Sequence, residues 1–359
     1  MATVATSTKP TNLVIVIEIE IEIEIEIDTA SMPEIKKYKV TEPYLNLHCG
    51  LAEGPFWERS RHSLRFVDIV NSKLHFVDLH AGPSSLQTWD LPFNVGTTAD
   101  IEGNETEFIA GGKYGFAIFN RETGQHRWVA KFWTAAERET DRSGGKPGIE
   151  NLSREERMRA NDGAVDVAGR YWVGTMNDPP VVRGNITDEG VLFRLDPDLS
   201  LHRVHEPVTM PNGTSWSLDN KWMYFTDSPS GTITKSPYDP ATGKADFSKS
   251  EVFFKCPYEG GVPDGHAQDE EGCFWIAIFG AGRVVRVSPE GQIVAEVEVP
   301  TRCVTCPGFA GTDLFITTAS EKDPEKYPES KEYGGAIFCV NVGVRGCPIN
   351  RFKMDVARE

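Results

Sequence analysis

Asp166-Val-Ala-Gly-Arg-Tyr-Trp-Val-Gly-Thr175, Ser217-Leu-Asp-Asn-Lys-Trp-Met-Tyr-Phe-Thr226 and Asp269-Glu-Glu-Gly-Cys-Phe-Trp-Ile-Ala-Ile278 share one shape, and their starts lie 51 and 52 residues apart. Each is a polar turn that leads into an aromatic-rich strand. Weaker copies stand at Ser60-Arg-His-Ser-Leu-Arg-Phe-Val-Asp68 and Phe309-Ala-Gly-Thr-Asp-Leu-Phe-Ile-Thr317. A second strand signal follows each copy: Lys73-Leu-His-Phe-Val77, Val191-Leu-Phe-Arg-Leu195, Thr232-Ile-Thr-Lys-Ser236, Arg283-Val-Val-Arg-Val287 and Ala336-Ile-Phe-Cys-Val340. Turn residues such as Asp196-Pro-Asp198, Asp239-Pro-Ala-Thr-Gly243 and Pro289-Glu-Gly291 come next, as hairpins require.

A period of about 50 residues with several short strands per unit predicts a β-propeller. Residues 46–359, divided into units of about 52, give six blades. An all-β, six-bladed β-propeller accounts for the chain as one domain, although 359 residues would ordinarily suggest two. The composition agrees: 39% apolar residues can fill a large core, and 33 glycines and 23 prolines suit many short strands and tight turns. Residues 1–45 are expected to be a poorly ordered tail. Leu13-Val-Ile-Val-Ile17 and the Glu/Ile alternation after it are too short in apolar run for a membrane span and too acidic for a signal peptide. Met32 opens a more ordinary sequence and is the expected natural start.

Lys and Arg number 37 against 53 Asp and Glu, a net charge of −16. So acidic a chain is poorly suited to gripping phosphate backbones, so neither nucleic acid nor a membrane is an expected partner. A small-molecule substrate is the expected partner, and the cytoplasm is the default compartment because no targeting signal is visible. The seven scattered cysteines do not read as a disulfide framework. Cys303-Val-Thr-Cys306 has zinc or redox spacing but lacks a second pair, so buried thiols are the simpler reading.

The chemistry-bearing pattern is a polar residue followed by glycine at one phase of the repeat. Asp162-Gly163, Asn212-Gly213 and Asp264-Gly265 are 50 and 52 residues apart, and Glu53-Gly54 lies 109 residues earlier, about two blades. Equal phase means equal height in a ring, so these side chains can converge on the central channel. Carboxylate and amide oxygens are hard ligands suited to Ca²⁺, Mg²⁺ or Mn²⁺. Taken singly, each dipeptide is an ordinary turn signal.

Taken in order, Ala52-Glu53-Gly54-Pro55-Phe56-Trp57, Phe66-Val67-Asp68-Ile69, Arg159-Ala160-Asn161-Asp162-Gly163, Gly169-Arg170-Tyr171-Trp172-Val173-Gly174-Thr175-Met176, Pro211-Asn212-Gly213, Trp216-Ser217-Leu218-Asp219, Tyr224-Phe225-Thr226-Asp227-Ser228 and Val262-Pro263-Asp264-Gly265 resemble the SMP-30/gluconolactonase/luciferin-regenerating family. The resemblance runs from about residue 46 to the C-terminus. It implies a six-bladed propeller and one divalent metal ion held by Glu53, Asn212 and Asp264. It also implies that Asn161 contacts metal or substrate and that Arg159 binds substrate oxygens. Ca²⁺ is placed first, with Zn²⁺, Mg²⁺ and Mn²⁺ as alternatives. After Gly-Thr-Met, animal members carry acidic sugar-binding residues, whereas this chain reads Asn177-Asp178-Pro179-Pro180. Their sugar specificity is therefore not carried over.

The leading expectation is metal-dependent hydrolysis of a lactone, with Asp264 as ligand or general base and Arg159 and Asn161 holding the substrate. No Gly-x-Ser-x-Gly elbow is present, which argues against a serine esterase. A lyase, isomerase or cyclase built on the same site is the alternative, and a non-catalytic binding propeller is the third reading. The charged segment 134–158 is expected to be a surface loop with a short helix, placed to cover the site. His266 is expected to support the site rather than shuttle protons. Trp57 and Trp216 are read as wall or core residues, and His202 and His205 as exposed.

Overall fold

The structure is a computed structural model that describes residues 35–139, 151–184 and 186–355. Among them the strands form six separate sheets. The first blade comprises Ala52–Glu58, Ser63–Asp68, Lys73–Asp78 and Gln87–Asp90. The second comprises Val95–Ile101, Asn104–Gly112, Gly115–Asn120 and His126–Lys131. The third comprises Met158–Val165, Tyr171–Asn177, Gly190–Leu195 and Leu201–Val208. The fourth comprises Pro211–Trp216, Trp222–Asp227, Thr232–Asp239 and Glu251–Lys255. The fifth comprises Val262–Gln268, Phe274–Phe279, Arg283–Val287 and Ile293–Glu298. The sixth has three strands, Val304–Ala310, Asp313–Thr318 and Ile337–Asn341. Within each blade the first strand is innermost and neighbours run antiparallel, as the repeat predicts.

The repeated motif is a pinned hairpin. Asp166 Oδ1 accepts the backbone N–H groups of Ala168 (2.9 Å) and Arg170 (3.0 Å), while Oδ2 accepts Trp172 Nε1 (3.0 Å) and the Tyr238 hydroxyl (2.7 Å). Asp269 repeats the pattern with Glu271 N, Cys273 N and Trp275 Nε1, and adds Arg286 Nε at 2.8 Å. One carboxylate thus closes the turn and fixes the tryptophan. At Ser217 a hydroxyl takes over, accepting Lys221 N and Trp222 N at 3.1 Å each. The second blade carries no copy of the motif because its first two strands are joined by Glu102 and Gly103 alone, with Gly103 at φ +72°.

Six apolar clusters hold the ring, one between each pair of neighbouring blades. Val67 and Leu74 meet Phe108 and Phe119 between blades one and two, and Phe116 and Ile118 meet Tyr171 and Phe193 between two and three. Trp172 meets Trp216 and Tyr238, and Tyr224 and Phe253 meet Phe274 and Ile276. Trp275 and Val297 meet Phe309 and Leu314, and Phe315 and Ile337 meet Phe66 and Leu45. Aromatic rings occur in every one of these clusters, and each buries more area than an aliphatic side chain.

Both ends of the described chain tie the ring together. Lys36–Lys39 pairs in parallel with Ile293–Glu298 on the fifth blade. Leu45 then exchanges backbone hydrogen bonds with Ile337 at 3.0 and 2.8 Å, standing where the sixth blade lacks a fourth strand. Residues 36–45, which the sequence reading placed in the tail, are therefore built onto the propeller. The physical reason is that the sixth blade presents an open edge whose backbone groups need partners. The tail reading for residues 1–34 lies outside the described residues. At the other terminus, Gly346 bridges Asp269 and Phe352 bridges Ile101, so this segment crosses the ends of the innermost strands.

Segment 134–158 contains the helices Ala135–Glu139 and Arg154–Arg157. A reciprocal pair of hydrogen bonds between Ser153 and Glu156 opens the second helix, which runs directly into the innermost strand Met158–Val165. Residues 140–150, the middle of the segment expected to cover the site, lie outside the described residues. No helix among the described residues is long and apolar enough to cross a membrane.

The hairpin pins should be unequal in weight. Asp269→Ala should cost about 3 kcal/mol or more, because Arg286 and three N–H groups lose a buried carboxylate. Ser217→Ala should cost about 1 kcal/mol. Urea denaturation of the two variants checks the difference.

Candidate functional site

Each innermost strand breaks register with its neighbour at the same height. The shifts fall between Glu53 and Phe56, Val95 and Thr97, Ala160 and Gly163, Asn212 and Thr214, Pro263 and His266, and Val304 and Cys306. A β-bulge bends its strand and re-aims a side chain. The polar-residue–glycine dipeptides are therefore bulges within strands, not turns between them. Gly54 supplies φ +56° for this geometry. Gly96 has a different reason: a Cβ there would stand 2.4 Å from the carbonyl oxygen of Asn161 in the next blade.

Four of these bulges bring Glu53, Asn161, Asn212 and Asp264 together, all buried. Arg159, 2% exposed, donates from Nη1 to Asn161 Oδ1 (2.7 Å) and to the Ala160 carbonyl (2.8 Å). Asn161 Nδ2 donates to Asn212 Oδ1 and to the Pro211 carbonyl, both at 2.8 Å. Asn212 Nδ2 donates to Ser228 Oγ (2.8 Å), whose hydroxyl donates to the Pro263 carbonyl (2.7 Å) beside Asp264. One chain of hydrogen bonds thus orients the site across the third, fourth and fifth blades. In it Asn161 connects Arg159 to Asn212.

The carboxylates are electrostatically stressed. Burial holds Glu53 well above the usual carboxylate range, and the charges of Asp264 and Asp162 add to the effect; the Gly54 N–H and Arg159 oppose it. Burial and Asp162 do the same to Asp264, whose Oδ1 is buried with no hydrogen-bond partner. Asp162 is pushed up to about 6 by burial, against the Gly163 and Gly213 N–H groups. Asp178, Glu53 and Asp264 thus face the Arg159 guanidinium, while Asp162 adds negative charge beside Glu53 and Asp264. Unpartnered hard oxygen, amide oxygen and excess negative charge are what a divalent cation neutralises, so this donor set fits one.

Sequence reasoning placed Asp162 among the side chains converging on the channel but left it out of the metal and substrate sets. It also missed Asp178. Asp178 Oδ2 accepts Lys113 Nζ at 2.6 Å, while Oδ1 is buried without a hydrogen bond, 3.9 Å from Arg159 Nε. The available signal was the acid inside Asn177-Asp178-Pro179-Pro180. Asn177 is structural: its amide oxygen accepts Thr187 N (2.7 Å) and its nitrogen donates to Glu189 (2.6 Å), which also receives Arg157.

Of the flanking residues, His266 shares a 2.6 Å contact between Nε2 and Ser215 Oγ, and burial lowers it to about 4, so its ring is neutral. Trp216 packs on Trp172 and Tyr238 as a wall residue, and Trp57 is half-buried beside Arg59. His202 is exposed as expected, but His205 is half-buried and stacked on Phe247 at 4.1 Å, because Phe247 folds back over its strand. Cys303 and Cys306 turn apart, toward Glu321 and the Pro307 carbonyl, and form no chelate. A cavity of about 430 Å³ is lined by residues that follow the site in each strand (54–56, 97–99, 162–165, 214–218, 266–268, 306–309) and by 347–350 of the C-terminal segment.

The raised acids predict how the chelated protein responds to pH. A folded-state pKa above the unfolded one contributes stability that is complete below the unfolded value and is lost as pH rises through the folded one. The melting temperature of EDTA-treated protein should therefore rise as pH falls from 7.5 to about 5.5, through the region where Asp162 titrates. Saturating Ca²⁺ should flatten this trend. Calorimetry across the range checks it, and an unchanged slope with Ca²⁺ would count against cation binding here.

Residues 51–320 match the family described as SMP-30/Gluconolactonase/LRE-like region. The chain is 31% identical over 325 residues to 6-deoxy-6-sulfogluconolactonase of Pseudomonas putida, covering 88% of this chain and 98% of that protein. It is 31% identical over 304 residues to regucalcin of Xenopus laevis, covering 82% and 92%. The crystal structure of the calcium-binding protein regucalcin from Agrobacterium tumefaciens superposes with a TM-score of 0.72 at 24% identity, covering 89% of this chain and 98% of that one, and so shares the fold. With the family match spanning most of the propeller and both relatives aligned over nearly their full length, the chain belongs to the SMP-30/gluconolactonase/luciferin-regenerating family.

Proposed function

We propose that the protein is a divalent-metal-dependent hydrolase that opens a small-molecule lactone at the propeller's channel. The observation that carries this reading is the unpartnered Asp264 Oδ1, buried among Glu53, Asp162 and Asn212. Glu53, Asn212 and Asp264 would hold the ion, with Asn161 beside them. The ion supplies Lewis-acid polarisation of the ester carbonyl. The relative that acts on a sulfogluconolactone supports a lactone, and the calcium-binding regucalcin supports Ca²⁺ ahead of Zn²⁺, Mg²⁺ or Mn²⁺.

The chain's own groups perform the remaining steps. Arg159 is a fixed cation whose Nη1 is engaged with Asn161 and the Ala160 carbonyl, so its other N–H groups can donate to substrate oxygens. Asp178, held by Lys113, keeps that guanidinium in place. The water oxygen adds to the lactone carbonyl carbon while the Asp264 carboxylate accepts its proton. The ring C–O bond then breaks, and the same proton passes to the departing alkoxide. The product is the hydroxy acid, which ionises and releases one proton to solvent. Burial excludes bulk water and strengthens each of these contacts.

Acid release from a panel of sugar and aliphatic lactones, with EDTA treatment and metal add-back, tests the reading. Turnover should be lost with EDTA and restored by one divalent ion. Asp264→Asn should lower kcat by about 10²- to 10⁴-fold. Asp178→Asn should cost about 10- to 100-fold in kcat/KM through Arg159. A metal-bound protein that opens no lactone would favour the lyase or cyclase reading instead.

A further inference from the structure

A second set of ligand atoms, sharing no residue with the channel site, lies where the N-terminal segment meets the first blade. The Cys49 sulfur, an Asp68 carboxylate oxygen and a His75 ring nitrogen all lie within 4.8 Å of one another. The three residues are 2%, 2% and 4% exposed. Asp68 ends the second strand of the first blade, His75 lies in its third, and Cys49 belongs to the closing segment.

The supporting contacts hold these groups in place. His75 Nδ1 meets Thr88 Oγ1 at 2.9 Å, and the ring stacks on Phe66 with centroids 4.8 Å apart. That leaves His75 Nε2 buried with no hydrogen-bond partner. An orphaned buried nitrogen is costly unless something binds it. Asp68 is oriented by Gly50 N (3.0 Å), Leu51 N (3.1 Å), Asn71 N (3.3 Å) and Asn71 Nδ2 (2.7 Å). A histidine bonded through its second nitrogen and a carboxylate held by N–H groups are the usual surroundings of metal ligands.

We propose that Cys49, Asp68 and His75 form a zinc site, separate from the channel, that clasps the N-terminal segment to the first blade. One sulfur, one nitrogen and one oxygen suit Zn²⁺, whereas hard Ca²⁺ takes oxygen alone. Tetrahedral bond lengths place ligand atoms about 3.5 Å apart, so the set must close by roughly 1 Å, within reach of side-chain rotation at Cys49. Binding replaces the thiol proton with Zn²⁺ and releases that proton to solvent. The clasp sits at ring closure: Cys49 N donates to the Gly335 carbonyl of the sixth blade at 3.0 Å, four residues after Leu45 pairs with Ile337.

Cobalt substitution of the full chain tests this separately from the channel. Co²⁺ bound through a thiolate gives an ultraviolet sulfur-to-metal charge-transfer band that an all-oxygen site cannot produce. Wild type and Glu53→Gln should both show the band and retain about one Zn²⁺ per chain after dialysis. Cys49→Ser should lose the band while keeping lactone turnover. If Cys49→Ser does not fold, His75→Gln should retain the sulfur band with weakened zinc retention, and the Glu53→Gln spectrum still decides. Absence of the band and of retained zinc in folded Glu53→Gln protein would overturn the clasp and leave the channel reading untouched.

Discussion

Everything in this molecule depends on how closely six innermost strands approach one axis. A Cβ added at Gly308 would stand 2.2 Å from the Pro55 carbonyl, and one added at Gly96 would stand 2.4 Å from the Asn161 carbonyl. Backbone therefore packs against backbone, and glycine is required where blades touch. A straight pleated strand cannot hold that approach over its whole length. Every inner strand bulges at one shared height, and four of those bulges turn Glu53, Asn161, Asn212 and Asp264 to the axis. The site is thus a consequence of ring closure rather than a feature added to it.

That geometry sets the electrostatics. Glu53 and Asp264 are buried and Asp162 half-buried beside them, from the first, fifth and third blades, and each resists ionisation. Arg159 offsets part of the charge, and the amide chain through Asn161 and Asn212 fixes orientation without adding any. Such a centre is unfavourable when empty of counter-charge and favourable around a divalent cation. The same rigidity that makes the uncompensated charge costly holds these groups in one fixed geometry.

The fold was largely legible because its signals are local. The Asp-to-Trp spacing in 166–172 and 269–275 encodes a turn that one carboxylate closes, and repetition counted the blades. The second blade escaped because its two-residue Glu102-Gly103 turn needs no such pin. The strand at 36–39 escaped for another reason: nothing in Lys36-Lys-Tyr-Lys39 signals a partner, and the open edges it covers belong to residues about 260 positions away. His205 was misjudged because its stacking partner, Phe247, comes from a later turn.

By itself the sequence determined the repeat and the phase of the polar-residue–glycine pairs, since both depend on spacing along one strand or between equivalent strands. Only the tertiary structure decided that those pairs are bulges, that Asn161 spends its oxygen on Arg159, that Asp178 braces the guanidinium from Lys113, and that Cys49, Asp68 and His75 meet. These contacts join segments from different blades or strands, and their partners are chosen by the way the ring closes. No spacing rule records that choice, because it is made by packing between surfaces that become neighbours only once the propeller has formed.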